Sequence, residues 1–491
     1  MKQKRYEQVA QKIIHLIQNG VLKEGDKIPS LRQLSHELSF SVNTIKEAYW
    51  KLEDKNYIVA VPQSGFYVKK QSVLESLPER RKSTQEITPE LLNPQEVNFC
   101  QVFAAFQAME ECPPKVNLGI AQLDPDSWPV DKMTRFLSKA IKHPDQDAFN
   151  YLMPPGYLPL RQQIARQGMA AGLTLSPDDI IITNGCHEAL FISLMALCKP
   201  GDTVVFESPI YFNQLQLLKQ LDLKVIEIPS GDAEGISLKT LEFVLENHSV
   251  KAMYSIPNFN NPLGFSMPSW KKKKLVRLLS RYHVPLIEDD VYGDITFNER
   301  PDTCKSHDRA GRVLYCSSFS KTIAPGLRIG WIAPGKAYDK VLKMKTLMNI
   351  CVTSAHQIAV AGFLKEGGYE RHIRGLRQSV CNTVKQMRQS VLTHFPKGTR
   401  VTDPGGGFLL WVELPPGTDT TLIYRQAVRK KILIAPGTLF TLKDKYINCM
   451  RLNAGMWNPM IEKAVKTVGR MCCDQLRQKS HRVKTAAEVL I

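Results

Sequence analysis

A lysine becomes a useful nucleophile only beside groups that hold the carbonyl it attacks. The run YCSSFSKTIAPGLRIGWIAPG places Lys321 between Ser318 and Arg328. Lysine forms imines with aldehydes. Upstream, PLIEDDVYGDI ends an apolar run in Asp289 and Asp290, with Tyr292 close behind. Successive side chains on a strand point to opposite faces, so only one of these acids can serve a given site. PNFNNPLG offers Asn261, and MRLNAG near the end offers Arg451, whose fork suits a carboxylate better than a lysine would. TNGCHEAL opens a helix at Gly185, Cys186 and His187, and a helix N-terminus binds phosphate through its backbone N–H groups.

Residues of these types are what a site for pyridoxal 5'-phosphate (PLP) draws on. That cofactor needs a lysine for the imine, an acid at the pyridinium nitrogen and donors for the phosphate. It also needs a hydrogen bond to the phenolic oxygen and a ring stacked on the pyridine. An amino-acid ligand adds an arginine for its carboxylate.

The elements that must position these residues alternate in type. From about Lys115, short apolar runs (DIIITNG, DTVVFESP, KAMYSIPN, VPLIEDD, RVLYCSSFSK, RIGWIAPG) end in turns that precede helical patterns. This predicts an α/β domain with a mostly parallel central sheet over 115–470, with the polar residues at the carboxyl ends of the strands. Residues 1–70 differ. Tyr6, Val9, Ile13, Leu16 and Ile17 recur at helical spacing before Gly20, and Ser30 can cap a helix carrying Leu31, Leu34 and Leu38. A third helix puts Ile45, Ala48, Tyr49 and Leu52 on one face and Asn43, Lys46, Glu47 and Lys51 on the other. YIVAVPQSGFYV then reads as two strands joined at Gln63-Ser64-Gly65. Three helices and a hairpin are the order of a winged helix-turn-helix.

Residues 71–114 are rich in charge, Ser, Thr and Pro and read as an interdomain linker with a helix around Val97 to Met109, or as an arm packed on a domain. Residues 471–491 read as a basic, disordered tail, and Lys271 to Lys274 as a solvated helix face, both with DNA contact as the alternative.

The net charge of +18 favours an anionic partner such as nucleic acid or a phosphorylated ligand. Eleven cysteines without CxxC pairs imply free thiols in a reducing, cytoplasmic setting, and no metal-ligating motif is read. No apolar run approaches the ~18 residues of a membrane span, and the N-terminus lacks the apolar core of a signal peptide.

The Lys321 run resembles the fold-type I aminotransferase signature S-x-S-K-x-x-x-P-G-L-R-x-G, and the resemblance covers about residues 115–470. It implies Lys321 as the imine lysine, Ser318 and Arg328 as phosphate ligands, and Asn261 as donor to the phenolic oxygen. The family's D-x-x-Y spacing selects Asp289 for the ring nitrogen over Asp290, and Tyr292 for the phenolic oxygen. ESPIYF puts Tyr211 where the family stacks a ring, NYLMPPGYLPLRQQIA puts Tyr151 where a tyrosine reaches the neighbouring subunit's phosphate, and Arg451 takes the carboxylate-binding position. The family's G-[ST]-x-x-A-L is altered to Gly185-Cys186. The usual hydroxyl is therefore absent, and backbone N–H groups of Cys186 and His187 are expected to serve. PGGGFLLWVELP is a further family-like stretch with a structural reading.

GDKIPSLRQLSHEL and SVNTIKEAYWKLEDKNYI resemble the winged helix-turn-helix of the GntR regulators, in a segment carrying twelve Lys and Arg against seven Asp and Glu over 1–70. The resemblance implies double-stranded DNA as partner, with Arg32 on phosphate or a base edge, Asn43, Thr44 and Lys46 facing the groove, and the Ser64-Gly65 wing tip on the backbone. Lys46 stands where the family often has arginine.

A winged helix joined to a fold-type I domain is similar to the MocR subgroup. This implies a head-to-tail homodimer that regulates transcription, with PLP or a PLP–amino compound adduct as effector. An active aminotransferase with an appended DNA-binding module is the alternative. A scaffold that has lost PLP is a further one, supported by the altered phosphate loop alone.

Overall fold

The structure is a computed structural model that describes residues 5–18, 22, 25–38, 40–54, 57–61, 64–68, 92–97, 114–142, 147–231, 234–443 and 445–488. The chain divides into two compact units, residues 1–84 and 85–491.

In the first unit, helix α1 (Arg5–Gln18) buries Val9, Ala10 and Ile13. Helix α2 (Leu31–Leu38) begins where the Ser30 hydroxyl accepts the Gln33 N–H at 3.2 Å, as a cap should. Helix α3 (Val42–Asp54) is capped likewise by Ser41, and its Ile45, Ala48, Tyr49 and Leu52 are fully buried. Strands β1 (Ile58–Val61) and β2 (Gly65–Val68) form the antiparallel wing. Tyr49 ties the unit together, because its hydroxyl donates to the Pro29 carbonyl at 2.6 Å and its ring meets Phe66 edge-on. The segment that leads into α2 and strand β2 of the wing are therefore both tied to one residue of α3. Gln63 and Gly20 lie outside the described residues.

The second unit opens with β3 (Val116–Asn117) and is built on an eight-stranded sheet. Its strands are β4 (Ile181–Thr183), β5 (Thr203–Ser208), β6 (Lys224–Gly231), β7 (Gly235–Ile236), β8 (Val250–Ser255), β9 (Leu286–Asp289), β10 (Val313–Ser318) and β11 (Gly330–Ala333). Their order is β4-β11-β10-β9-β8-β5-β6-β7. The ladders β6-β5-β8-β9-β10 are parallel, while β11 runs against its neighbours β10 and β4, and β7 against β6. Strands β5, β9 and β10 are buried along their length, as a sheet covered by helices on both faces requires. A second, antiparallel sheet joins β12 (Arg400–Val401), β13 (Leu409–Glu413), β16 (Cys449–Asn453) and β15 (Ala435–Pro436), while β14 (Ile432–Leu433) pairs with β3.

Within the segment expected as a linker, residues 92–97 pack on this unit. Leu92 and Val97 are buried in its apolar clusters, and Gln95 exchanges two 2.9 Å backbone hydrogen bonds with Val225 of β6. Residues 98–109 of the expected helix lie outside the described residues.

Two expectations need correction. The chain after Arg470 continues the helix Pro459–Glu488, with Met471 and Cys472 buried, so residues 471–488 are not a disordered tail. Lys271 and Lys272 are buried rather than solvated. Lys272 donates to the Asn258 side-chain oxygen at 2.7 Å and to the Asp302 carbonyl at 2.6 Å, and pairs with the Asp302 carboxylate at 3.1 Å. Among the described residues no helix is long and apolar enough to cross a membrane.

Candidate cofactor and effector site

Of the residues named for the cofactor, Gly185, Tyr211, Asn261, Asp289, Ser318 and Lys321 lie at or just beyond the carboxyl ends of strands of the large sheet, where such sheets leave a crevice, and Arg451 comes from the antiparallel sheet. Lys321 follows β10 on a short 3-10 turn that Ser318 caps by accepting the Ser320 N–H at 2.9 Å. Its Nζ donates to the Ala121 carbonyl at 2.7 Å. Burial, and then the positive Arg451, lower the Lys321 ammonium to about 8, against the pull of Asp289.

Asp289 closes β9 and is buried on the crevice face. Its carboxylate accepts from the Tyr254 hydroxyl at 2.9 Å, the Cys186 thiol at 3.5 Å and the Val291 N–H at 3.3 Å. Burial pushes this carboxyl up to about 6, and those three donors restrain the rise. Asp290 points the other way, accepting from Asn258 and Tyr315 and pairing with Arg300 at 2.5 Å. The alternation along the strand thus separates a crevice acid from a structural one.

Asn261 lies in the turn after β8, held there because Asn260 donates to the buried Glu207 at 2.9 Å and accepts the Leu263 N–H at 3.2 Å. The Asn261 side-chain oxygen accepts from Arg451 Nη1 at 2.7 Å, and its side chain lies near the Tyr292 hydroxyl. Arg451, on β16, is 1% exposed. Its Nη2 donates to the Gly119 carbonyl, Phe212 and Phe440 lie 5.5 and 5.0 Å from its guanidinium carbon, and its Nε has no partner. No carboxylate pairs with it among the described residues, and burial lowers its pKa. Tyr211 is half-buried beside Phe212, and its hydroxyl accepts from Asn213 at 2.9 Å.

At the other end of the crevice, the helix Cys186–Leu197 starts after Gly185. Gly185 has φ +80°, and a Cβ there would fall 2.5 Å from Arg328 Nη2. The guanidinium of Arg328 donates to the Asn184 carbonyl at 2.8 Å and reaches the Ser320 hydroxyl at 3.3 Å. His187 is exposed on the first turn. This cluster of N–H, guanidinium and hydroxyl donors around a backbone cradle fits a phosphate, and Lys321, Asp289 and Asn261 fit the remainder of PLP. Tyr151 is 75% exposed, outside this crevice.

Sequence reasoning missed Tyr254, Ser320, Gly119 and the second role of Cys186. Cys186 was expected to offer only its backbone, yet its thiol is aimed at Asp289. Nothing in the local pattern signals this, because the partner is a hundred residues away.

On the first unit, Asn43 and Lys46 are exposed on α3, and Lys46 Nζ lies 4.8 Å from the centre of the exposed Trp50 ring. Thr44 is half-buried, with its hydroxyl 2.9 Å from that of Ser41. Ser64 meets the Tyr67 hydroxyl at 2.6 Å, and Gly65 has φ +118°, a backbone that favours glycine. Arg32 lies on α2, and its side chain lies outside the described residues.

Residues 113–468 match the family model "Aminotransferase class I and II", and residues 5–68 match "Bacterial regulatory proteins, gntR family". The HTH-type transcriptional regulator YjiR of Escherichia coli is 39% identical over 470 residues, covering 95% of this chain and 98% of that protein. The fold is similar to that of a multiple substrate aminotransferase from Thermococcus profundus (TM-score 0.72, 27% identity, 78% of this chain and 96% of that one). It is similar also to a kynurenine aminotransferase from Pyrococcus horikoshii, whose structure holds PMP (TM-score 0.71, 29% identity, 80% and 98%). A GntR-type reader followed by a fold-type I domain whose structural relatives work with this cofactor leaves one conclusion: the chain belongs to the MocR-type, PLP-dependent transcriptional regulators.

Proposed function

We propose that this regulator carries PLP on Lys321 and responds to an amino compound whose carboxylate is taken by Arg451. The observation that carries the reading is Arg451 itself, a buried guanidinium with an unpartnered Nε and no carboxylate beside it. Burying such a cation is costly unless an anion completes it. Bound PLP supplies an aldehyde for amines and an electron-withdrawing ring.

The chain's own residues divide the remaining work. Asp289 holds a proton at the ring nitrogen, and Asn261 with Tyr292 binds the phenolic oxygen. Tyr211 stacks on the ring. Ser318, Arg328 and the amides that follow Gly185, those of Cys186 and His187, bind the phosphate. Tyr151 completes that phosphate site from the second subunit of a head-to-tail homodimer, which its exposure beside exposed Phe149 and Met153 supports. Arg32, Asn43, Thr44, Lys46 and the Ser64-Gly65 wing tip contact double-stranded DNA in the cytoplasm.

The test is a titration of purified protein with PLP, followed by DNA binding with and without amino acids. Visible absorbance that is lost in Lys321→Ala, and an operator affinity that changes with one amino compound, support the reading. A wild-type chain that stays colourless overturns it. One observation favours transamination as a second reading: the Lys321 ammonium at about 8 lets its amine move a proton near neutral pH. Keto-acid formation at metabolic rates would decide for it.

A further inference from the structure

A carboxylate offers about four lone-pair positions. On Asp289, Oδ1 accepts both the Cys186 thiol (3.5 Å) and the Val291 N–H (3.3 Å), while Oδ2 accepts the Tyr254 hydroxyl (2.9 Å). One position remains, on Oδ2. All three side chains are buried, and the Tyr254 ring is fixed by stacking on Phe206 with centroids 4.8 Å apart. We infer that Tyr254 and Cys186 are positioning residues that set how Asp289 meets the cofactor ring: they turn its one remaining acceptor to the ring nitrogen and weaken its hold on a proton, so that the proton stays on the ring.

The reasoning concerns competition for one proton. Burial makes a carboxylate more basic, and a carboxylate that is too basic takes the proton from the ring nitrogen and leaves the ring neutral. Donors to the ionised form oppose this. Burial holds both the Cys186 thiol and the Tyr254 phenol well above their ordinary pKa ranges, so each stays protonated and can only donate to Asp289. The cysteine that replaces the usual hydroxyl at the phosphate loop thereby serves the opposite end of the cofactor.

This rests on the PLP reading above, and the experiment separates the two. Full-length wild type, Tyr254→Phe, Cys186→Ala and Cys186→Ser are loaded with PLP, and the visible absorbance is followed against pH. The expected result is a shift of the titration midpoint in Tyr254→Phe and Cys186→Ala by on the order of one pH unit, the size of one hydrogen bond to a charged group. Cys186→Ser, which keeps a donor, should restore the wild-type midpoint. PLP should also leave the two shifted variants several-fold faster. A merely structural role would lower the melting temperature and leave the midpoint in place. Superimposable curves for Tyr254→Phe, Cys186→Ala and wild type overturn the inference. Should Tyr254→Phe fail to fold, the Cys186 pair alone decides. A wild-type chain with no titrating band overturns the PLP reading, and the inference with it.

Discussion

Arg451 Nη1 donates to the side-chain oxygen of Asn261 across 2.7 Å, joining the antiparallel sheet to the turn that follows β8. One side chain thus links the proposed carboxylate site to the proposed contact with the phenolic oxygen. A carboxylate bound at Arg451 would adjoin the direct partner of Asn261.

Arg451→Lys should keep a buried charge but lose the fork. Affinity for the amino compound should fall about tenfold to a hundredfold, the value of one charge-assisted hydrogen bond of about 1.5–3 kcal/mol. PLP uptake should be little changed. Calorimetric titration of PLP-loaded protein with the amino compound checks this, and equal affinities would remove Arg451 from the effector site.

Only a neutral amine attacks an aldehyde. Since the Lys321 ammonium is lowered to about 8, the rate of PLP capture should rise with pH and level off just above that value. An ordinary lysine would still be gaining rate near pH 10. Stopped-flow absorbance from pH 6 to 10 reads the midpoint directly.

Gly185→Ala should damage the phosphate end alone. The new methyl would meet the Arg328 guanidinium on a backbone with φ +80°, where a side chain costs about 1 kcal/mol or more before any clash. PLP dissociation should quicken at least tenfold while circular dichroism stays native.

On the DNA-binding unit, Asn43→Ala should relax base preference, with a loss of about 1–3 kcal/mol on the preferred operator only. Lys46→Ala should weaken all sequences alike and flatten the salt dependence by about one phosphate contact. Fluorescence anisotropy on operator and scrambled duplexes across 50–200 mM salt distinguishes them.

Lys272→Met tests the buried ion pair. It would leave the buried Asn258 side-chain oxygen without its donor, while the half-buried Asp302 keeps Ser269 and His307, and losing hydrogen bonds to a charged group costs about 1.5–3 kcal/mol. A large drop in melting temperature is expected, with no direct effect on DNA contacts made by the separate N-terminal unit.

Much of this was legible in the sequence. Strands β4, β5, β8, β9, β10 and β11 announce themselves in apolar runs, whereas β6 and β7 were not read, and the separation of Asp289 from Asp290 follows from strand geometry once either is placed. The buried face of α3 was readable because Ile45, Ala48, Tyr49 and Leu52 obey one period. Lys272 was not readable. Four successive lysines on a helix look like a solvated stripe, and only distant partners turn two of them inward, Asp302 and Asn258 for Lys272 and Glu234 for Lys271. Tyr254 escaped for the same reason, since an inward tyrosine on a central strand looks like core until the carboxylate 35 residues later is folded against it. Local pattern reports which face a residue occupies. It does not report which polar partner waits there.

The pairing of Gln95 with Val225 has a consequence for how the chain may be divided. Beyond β5, strand β6 is flanked by β7 only at Ser230 and Gly231, and the Gln95 bridge covers Val225 near its start. Unpaired strand borders invite neighbouring molecules to add themselves on, a common origin of aggregates. Residues 92–97 therefore act as edging for the sheet as well as connection. A fragment of the larger unit cut after Val97 would bare that border and two apolar sockets, those of Leu92 and Val97, whereas one that begins before Leu92 keeps its own hem.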